Sequence, residues 1–195
     1  MIHDVTGVIL AGGASRRMGQ NKALLPFQGA PLIQSVHNQL ARLFDNVFIV
    51  TNSSELYHFL PCPKVSDLIP GGAGSLAGIH SALFHSTTPY VFIAACDMPY
   101  LQAHLIRHIV SEREDFDIVV PVSSFCPEPL HALYRKTVFD VIDTALKKGQ
   151  KKIISIFDQL RVKIIQQNEI ARIDYEFKSF RNINTPEEYN ALTTT

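Results

Sequence analysis

Twelve residues near the start of the chain, Ala11-Gly12-Gly13-Ala14-Ser15-Arg16-Arg17-Met18-Gly19-Gln20-Asn21-Lys22, gather three glycines, two arginines and a lysine. That composition suits phosphate. Glycine lets backbone N–H groups turn inward toward an anion, and arginine and lysine supply the full charges that a triphosphate calls for. The loop is not a Walker A loop, because no GK[ST] follows at the needed spacing, and it is not GxGxxG. Its alternative reading is a glycine-rich turn with solvated basic side chains. The second chemical group is Asp97, which follows the apolar run Val91-Phe92-Ile93-Ala94-Ala95-Cys96 and precedes Met98-Pro99. Magnesium bound to phosphates needs only one or two protein carboxylates, so Asp97 is the candidate metal ligand. The same residue could instead cap a helix starting near Leu101. Asp67, just ahead of Pro70-Gly71-Gly72-Ala73-Gly74, is a second acidic group for the same rim, or a plain turn aspartate.

These residues must be positioned by something, and the pattern around them is regular. Short β-branched runs recur between longer segments with helical spacing, which predicts an α/β fold with a doubly wound, mostly parallel sheet. Strands are expected at Thr6 to Leu10, Val47 to Thr51, Val91 to Ala95 and Ile118 to Val122. Three apolar stripes predict helices: Leu32, Ile33, Val36, Leu40 and Leu43 in a helix opened by Pro31; Leu101, Leu105, Ile106, Ile109 and Val110; and Val138, Val141, Ile142, Ala145 and Leu146. In open parallel sheets, ligands lie beyond the carboxyl ends of the strands, which is where the glycine loop and Asp97 both fall. The irregular segments Asp67 to Ser75 and Ser123 to Pro129 are too short for linkers and read as loops at a site. Thr185-Pro186-Glu187-Glu188 reads as a helix start, with no function attached.

The 195 residues, 46% of them hydrophobic, suffice for one substantial core, and one domain spanning 1–195 is expected. Lysine plus arginine and aspartate plus glutamate both number 18, so no overall field steers the protein to nucleic acid or to an anionic membrane. No apolar run approaches the roughly 20 residues that span a bilayer, and Met1 to Thr6 lacks a basic leader, which together point to a cytoplasmic protein. Cys62, Cys96 and Cys126 stand apart and are expected to be reduced thiols. His104 and His108 lie at helical spacing, but with no third ligand nearby they read as surface residues.

Taken together, several stretches resemble the molybdenum cofactor guanylyltransferases of the MobA type. They are Leu10 to Gly19 with Lys22-Ala23-Leu24-Leu25, Gly74-Ser75-Leu76-Ala77-Gly78-Ile79, Cys96-Asp97-Met98-Pro99, Glu128-Pro129-Leu130-His131-Ala132-Leu133-Tyr134, and Asn182-Ile183-Asn184-Thr185-Pro186. The opening motif alone is shared by many nucleotidyltransferases; the joint order of all five is more specific. The resemblance implies a Rossmann-like nucleotidyltransferase domain that takes GTP and the phosphate of molybdopterin, uses Mg2+ (or Mn2+), and releases pyrophosphate. It implies that Leu10, Ala11, Gly12 and Gly13 contact the nucleotide, with Lys22 at the phosphates. Asn52 and Asp67 join the nucleotide side, and Asp97 is the magnesium ligand. Arg17, Gly74, Gly78, Asn182 and Asn184 match the pterin side, with Arg17 counted beside Lys22 and Asp97 in the chemistry. Glycine at Gly12 goes with guanine in the family, whereas cytidylyl relatives tend to carry alanine. Ser75 stands where the family usually has proline, and Asn21 where aspartate is common. A monomer is expected, with other cofactor-biosynthesis proteins and acceptor molybdoenzymes as prospective partners.

Charge alone supports the same chemistry. The attacking phosphate and the α-phosphate are both anions, so the barrier is largely repulsion and misalignment, which a metal ion, Lys22 and loop amides would reduce. Three rivals remain: a relative using CTP or another phosphorylated acceptor, a dinucleotide-dependent oxidoreductase built on Gly72, Gly74 and Gly78, and a nucleotide-binding module without turnover.

Overall fold

β1 (Ile2–Leu10) is buried on both faces from Val5 onward, as a central parallel strand must be. Its side chains alternate between two cores: Val5 and Ile9 enter one, Val8 and Leu10 the other. In the computed structural model, which describes residues 1–12, 21–69, 74–183 and 189, β1 pairs in parallel with β4 (Phe44–Val50) and β6 (Tyr90–Ala95). The short β2 (Pro26–Phe27) and β3 (Ala30–Pro31) form a separate ribbon. β5 (Lys64–Val65) extends the main sheet beyond β4. On the far side lie β7 (Ile118–Ser123), β8 (Cys126–Pro127), β9 (His131–Arg135) and β10 (Val162–Ile165), giving the order β10-β7-β9-β6-β1-β4-β5 with β8 paired to β7.

Parallel neighbours need crossovers, and helices supply them. α1 (Leu32–Ala41) and α3 (Ala103–Ser111) bury Ile33, Val36 and Leu40, and Leu105, Ile106 and Ile109, on one face of the sheet. α2 (Ser75–His85) and α4 (Val138–Lys147) bury Leu76, Ile79 and Leu83, and Val138 and Ile142, on the other. The short α5 (Gln167–Ala171) follows β10. No described helix is long and apolar enough to cross a membrane. The three cysteines are free thiols.

The expected strands and helical stripes all form, within a few residues of their predicted limits. Pro31 does not start a helix: it lies in extended backbone one position ahead of α1, opposite Pro26 in the β2–β3 ribbon. The helix expected near Leu101 begins at Ala103 with Gln102 as its cap, so Asp97 does not serve as its cap. Among the described residues β2, β3, β5, β8, β9 and β10 lie outside the expected strands, and β9 runs antiparallel to both of its neighbours.

β9 carries His131 into the centre of the molecule with no solvent exposure. Its ring sits edge-on to Phe92 and Phe180, with centroids 5.3 and 5.2 Å away, and neither nitrogen has a hydrogen-bond partner among the described residues. Desolvation drives its pKa down to about 3, against a weaker opposing pull from Asp174. A neutral buried imidazole stabilises the fold fully above the unfolded value of 6.5, and that contribution drains as pH falls toward 3. Unfolding measured against pH should therefore show wild-type stability falling relative to His131→Phe by about 1.4 kcal/mol per pH unit below pH 6. Parallel curves for the two proteins would contradict it.

Candidate active site

The register of the three central strands builds the site. Leu10 is aligned with Val50 on one side and with Ala95 on the other, so β1, β4 and β6 end in one row. Gly12, Asn52 and Asp97 each stand two residues past that row and share one rim. Backbone bonds keep the tips level: Ala11 N donates to Val50 O at 2.9 Å, and Cys96 N to Leu10 O at 3.2 Å. A cleft of about 450 Å³ opens above them, lined by Ala11, Gly12, Asn21, Lys22, Thr51, Asn52, Ser53, Tyr57, Cys96 and Asp97. Leu10 lies beneath it, 8% exposed.

Lys22 begins a short 3-10 turn, Lys22–Leu24, and Asn21 caps it by accepting from Ala23 N at 3.1 Å. The Asn21 amide also donates to the hydroxyl of the buried Tyr57 at 2.9 Å, tying the turn to the chain after β4. Lys22 Nζ lies 3.9 Å from Asp97 Oδ2, and both side chains are about one-fifth exposed, at 18% and 20%. The Asp97 turn is clamped from two sides. Gln39 Nε2 and Ser35 Oγ donate to Pro99 O at 2.8 and 3.3 Å, and Ile183 N donates to Asp97 O at 3.2 Å. Beside it, burial and then the Asp97 charge push the Cys96 thiol up to about 12, so it stays protonated. Among the described residues, one carboxylate with a cation nearby is a donor set that fits magnesium arriving with phosphates better than a metal held by protein alone.

Asn52 and Asp67 hold each other. Asn52 Nδ2 donates to Asp67 Oδ2 at 3.2 Å, and Asp67 N donates to Asn52 Oδ1 at 3.0 Å. Burial raises the Asp67 pKa, opposed by hydrogen bonds from Asn52 and Ser81. Its other oxygen, Oδ1, is buried and makes no hydrogen bond of normal geometry among the described residues. Gly74, at φ +78°, caps α2, leaving Ser75 as the first helical residue rather than the cap. Gly78 is buried in α2, where a Cβ would meet Leu10 Cδ1 at 3.2 Å; its bareness lets the helix sit against the end of β1. Asn182, next to the residue that tethers Asp97, has a buried and unpartnered Oδ1 among the described residues. Gly13, Arg17 and Asn184 lie outside the described residues, as does the Thr185 to Glu188 helix start.

A model of the MobA-like NTP transferase domain matches residues 7–164. The chain belongs to that family. It is 39% identical to the molybdenum cofactor guanylyltransferase of Desulfosudis oleivorans, over 94% of this chain and 92% of that one. It is 37% identical to the "Probable molybdenum cofactor guanylyltransferase" of Carboxydothermus hydrogenoformans, over 98% and 96%. Among solved structures, molybdopterin-guanine dinucleotide biosynthesis protein A of Archaeoglobus fulgidus superposes with a TM-score of 0.84, at 29% identity and 96% coverage of both chains. The chain is thus a nucleotidyltransferase with the fold of that group.

In this MobA-like transferase several cleft residues escaped the sequence reading. Tyr57 gave no signal, being one apolar residue in an irregular stretch. Asn21 did: an asparagine directly before Lys-Ala-Leu is a helix-start signal, and its side chain both caps the Lys22 turn and engages Tyr57. The segment Ser123 to Pro129, expected as a loop, is a tight hairpin between β7 and β8. Its two turn residues, Ser124 and Phe125, have φ of +44° and +65° without a glycine between them. Such left-handed backbone costs about 1–2 kcal/mol per residue. With its amide oxygen toward the turn, Gln167 accepts from Ser124 N and Phe125 N at 2.7 and 2.9 Å, which offsets part of that cost.

The Asn52–Asp67 pairing makes a spectroscopic prediction. Asn52→Ala removes a donor that favours the carboxylate, so the Asp67 carboxyl resonance should titrate at higher pH than in the wild type. An unchanged or lower midpoint by 13C NMR would show that Asn52 does not hold this group.

Proposed function

We propose that residues 1–195 act as one nucleotidyltransferase domain that transfers GMP from GTP to the phosphate of molybdopterin, yielding molybdopterin guanine dinucleotide and pyrophosphate with Mg2+. The observation that carries this reading is the meeting of Lys22 and Asp97, 3.9 Å apart, at the rim that also holds Gly12 and Asn52. The names of the relatives supply guanine and molybdopterin.

On this reading GTP lies in the cleft over β1 and β4, with its base toward Asn52 and Asp67. The Asp67 carboxylate, held by Asn52 and with Oδ2 near Gly12, suits the N–H donors of guanine. Ala11 and Gly12 form the floor beneath the ribose. Lys22 faces the phosphates and offsets their charge as the acceptor's phosphate oxygen closes on the α-phosphorus. A new P–O bond forms there, the bond from the α-phosphorus to the bridging oxygen breaks, and the electron pair leaves with pyrophosphate. Asp97 would hold the magnesium ion, which when bound draws charge from the triphosphate; Mn2+ serves the same donor set. No protein base is needed, because a phosphate monoester with a second pKa of about 6 is already ionised. Arg17, Gly13, Gly74, Asn182 and Asn184 belong to the proposed nucleotide and pterin contacts, and Gly78 serves the pterin side through the packing of α2 against Leu10. The reaction fits a cytoplasmic monomer working on small molecules and passing its product to cofactor-handling proteins and molybdoenzymes, without nucleic acid or membrane.

Incubation with Mg2+, molybdopterin and either GTP or CTP tests the reading, with guanine dinucleotide as the expected product; a cytosine product would move the chain to a cytidylyl function. Asp97→Asn should lower turnover by at least about a hundredfold while the melting temperature holds, in line with loss of a charge-stabilising group. An active variant at ordinary magnesium removes Asp97 from the chemistry. A Cβ at Gly12 would lie 3.8 Å from Asp67 Oδ2, an ordinary contact. Gly12→Ala should therefore fold normally yet narrow the preference for GTP over CTP, and an unaltered kcat/KM ratio would count against Gly12 as the discriminator.

A further inference from the structure

Among the described residues, the lining of the cleft lies on the β1–β4 side of Asp97. Its walls come from the ends of β1 and β4 and from the Lys22 turn, with Cys96 and Asp97 at its far edge. An acceptor that meets the α-phosphorus at Asp97 therefore approaches from the other side, over the ends of β9 and β7. β7 is two strand spacings from β6, about 10 Å, which is the reach of a phosphate carried on a fused heterocycle.

The β7–β8 hairpin stands at that place. Phe125 at its tip is 91% exposed, and the Gln167 carbonyl holds the turn that presents it. Glu128 is half-buried at the foot of the hairpin, with its N–H donating to Pro121 O at 2.9 Å. Ser123, buried at the end of β7, donates its hydroxyl to Glu128 Oε1 and fixes the carboxyl group. Each carboxylate oxygen accepts more than one hydrogen bond, so the Ser123 contact leaves room for a ligand. Resting on the guanylyl-transfer reading, we infer that Glu128 and Phe125 form the subsite for the acceptor's aminopyrimidinone heterocycle. The carboxylate takes the parallel N–H pair of the ring edge as a two-pronged contact, and the phenyl ring covers its face. The hairpin is set before the ligand arrives, so little ordering is left to do on binding. Guanine carries the same donor pair, but its proposed place is the β4 side, at Asp67.

The test uses the whole chain with Mg2+, GTP and molybdopterin, and with pterin-6-carboxylate and lumazine-6-carboxylate as competitors. Lumazine has an oxygen where pterin has the amino donor. Wild-type protein should be inhibited by the pterin at least about tenfold better than by the lumazine, as expected of a site built around a donor. Glu128→Gln keeps an oxygen for Ser123, so it should fold. It should raise the acceptor KM about tenfold, leave the GTP KM alone and erase the pterin preference. Phe125→Ala should raise the acceptor KM several-fold with the preference intact. An unaltered acceptor KM in either variant, or a pterin preference that survives Glu128→Gln, overturns the assignment. If wild-type protein makes no product, the functional reading fails by itself. Fluorescence titration of pterin-6-carboxylate into wild type and Glu128→Gln then still decides the subsite: equal affinities overturn it and weaker binding to the variant supports it.

Discussion

The alignment of Val50, Leu10 and Ala95 in one row is the constraint on which the site depends. Parallel pairing lets three chain segments separated by dozens of residues end at the same height. A shift of one residue in either pairing would turn a core side chain out and a rim side chain under, because side chains alternate with a period of two. The burial of Val8, Ile9 and Leu10 on two opposed cores penalises such a shift from both faces. The hydrophobic effect that folds the sheet therefore also sets where Gly12, Asn52 and Asp97 stand.

Local charge then matters more than total charge. The chain is neutral overall, with 18 basic and 18 acidic residues, so recognition of an anion rests on the few groups at the rim. Asp97 sits between a lysine and a thiol. Lys22 balances its charge, while Cys96, pushed up to about 12, adds none. Across the cleft, Asp67 is buried enough to be reluctant to ionise, and Asn52 counters that by donating to it. Each acidic group at the rim is thus held by a neighbour from a different segment.

Much of this was legible in the residues. Strands buried on both faces announce themselves as short β-branched runs, and the helix stripes of α1, α3 and α4 follow a 3.6-residue period. Asp97 could be read because it ends such a run, where an α/β sheet exposes its strand tips. β9 was hidden because His131 to Arg135 is short, opens with a histidine and runs against its neighbours. The role of Asn52 was half legible: its position past a strand was visible, its reciprocal bonds with Asp67 were not, since they join segments 15 residues apart. The hairpin at Phe125 defied the usual turn grammar, which asks for asparagine and glycine where Ser124 and Phe125 stand.

The bond from Ile183 N to Asp97 O joins parts of the chain that are far apart in sequence. Gly12 precedes Asp97 by 85 residues, and the strap that clamps the Asp97 turn follows it by 86, at residue 183. A chain lacking that segment would keep the bonds from Ser35 and Gln39 to Pro99 O but lose the one from Ile183 to Asp97 O. The turn that carries Asp97 is thus closed by a segment far downstream of it in the sequence.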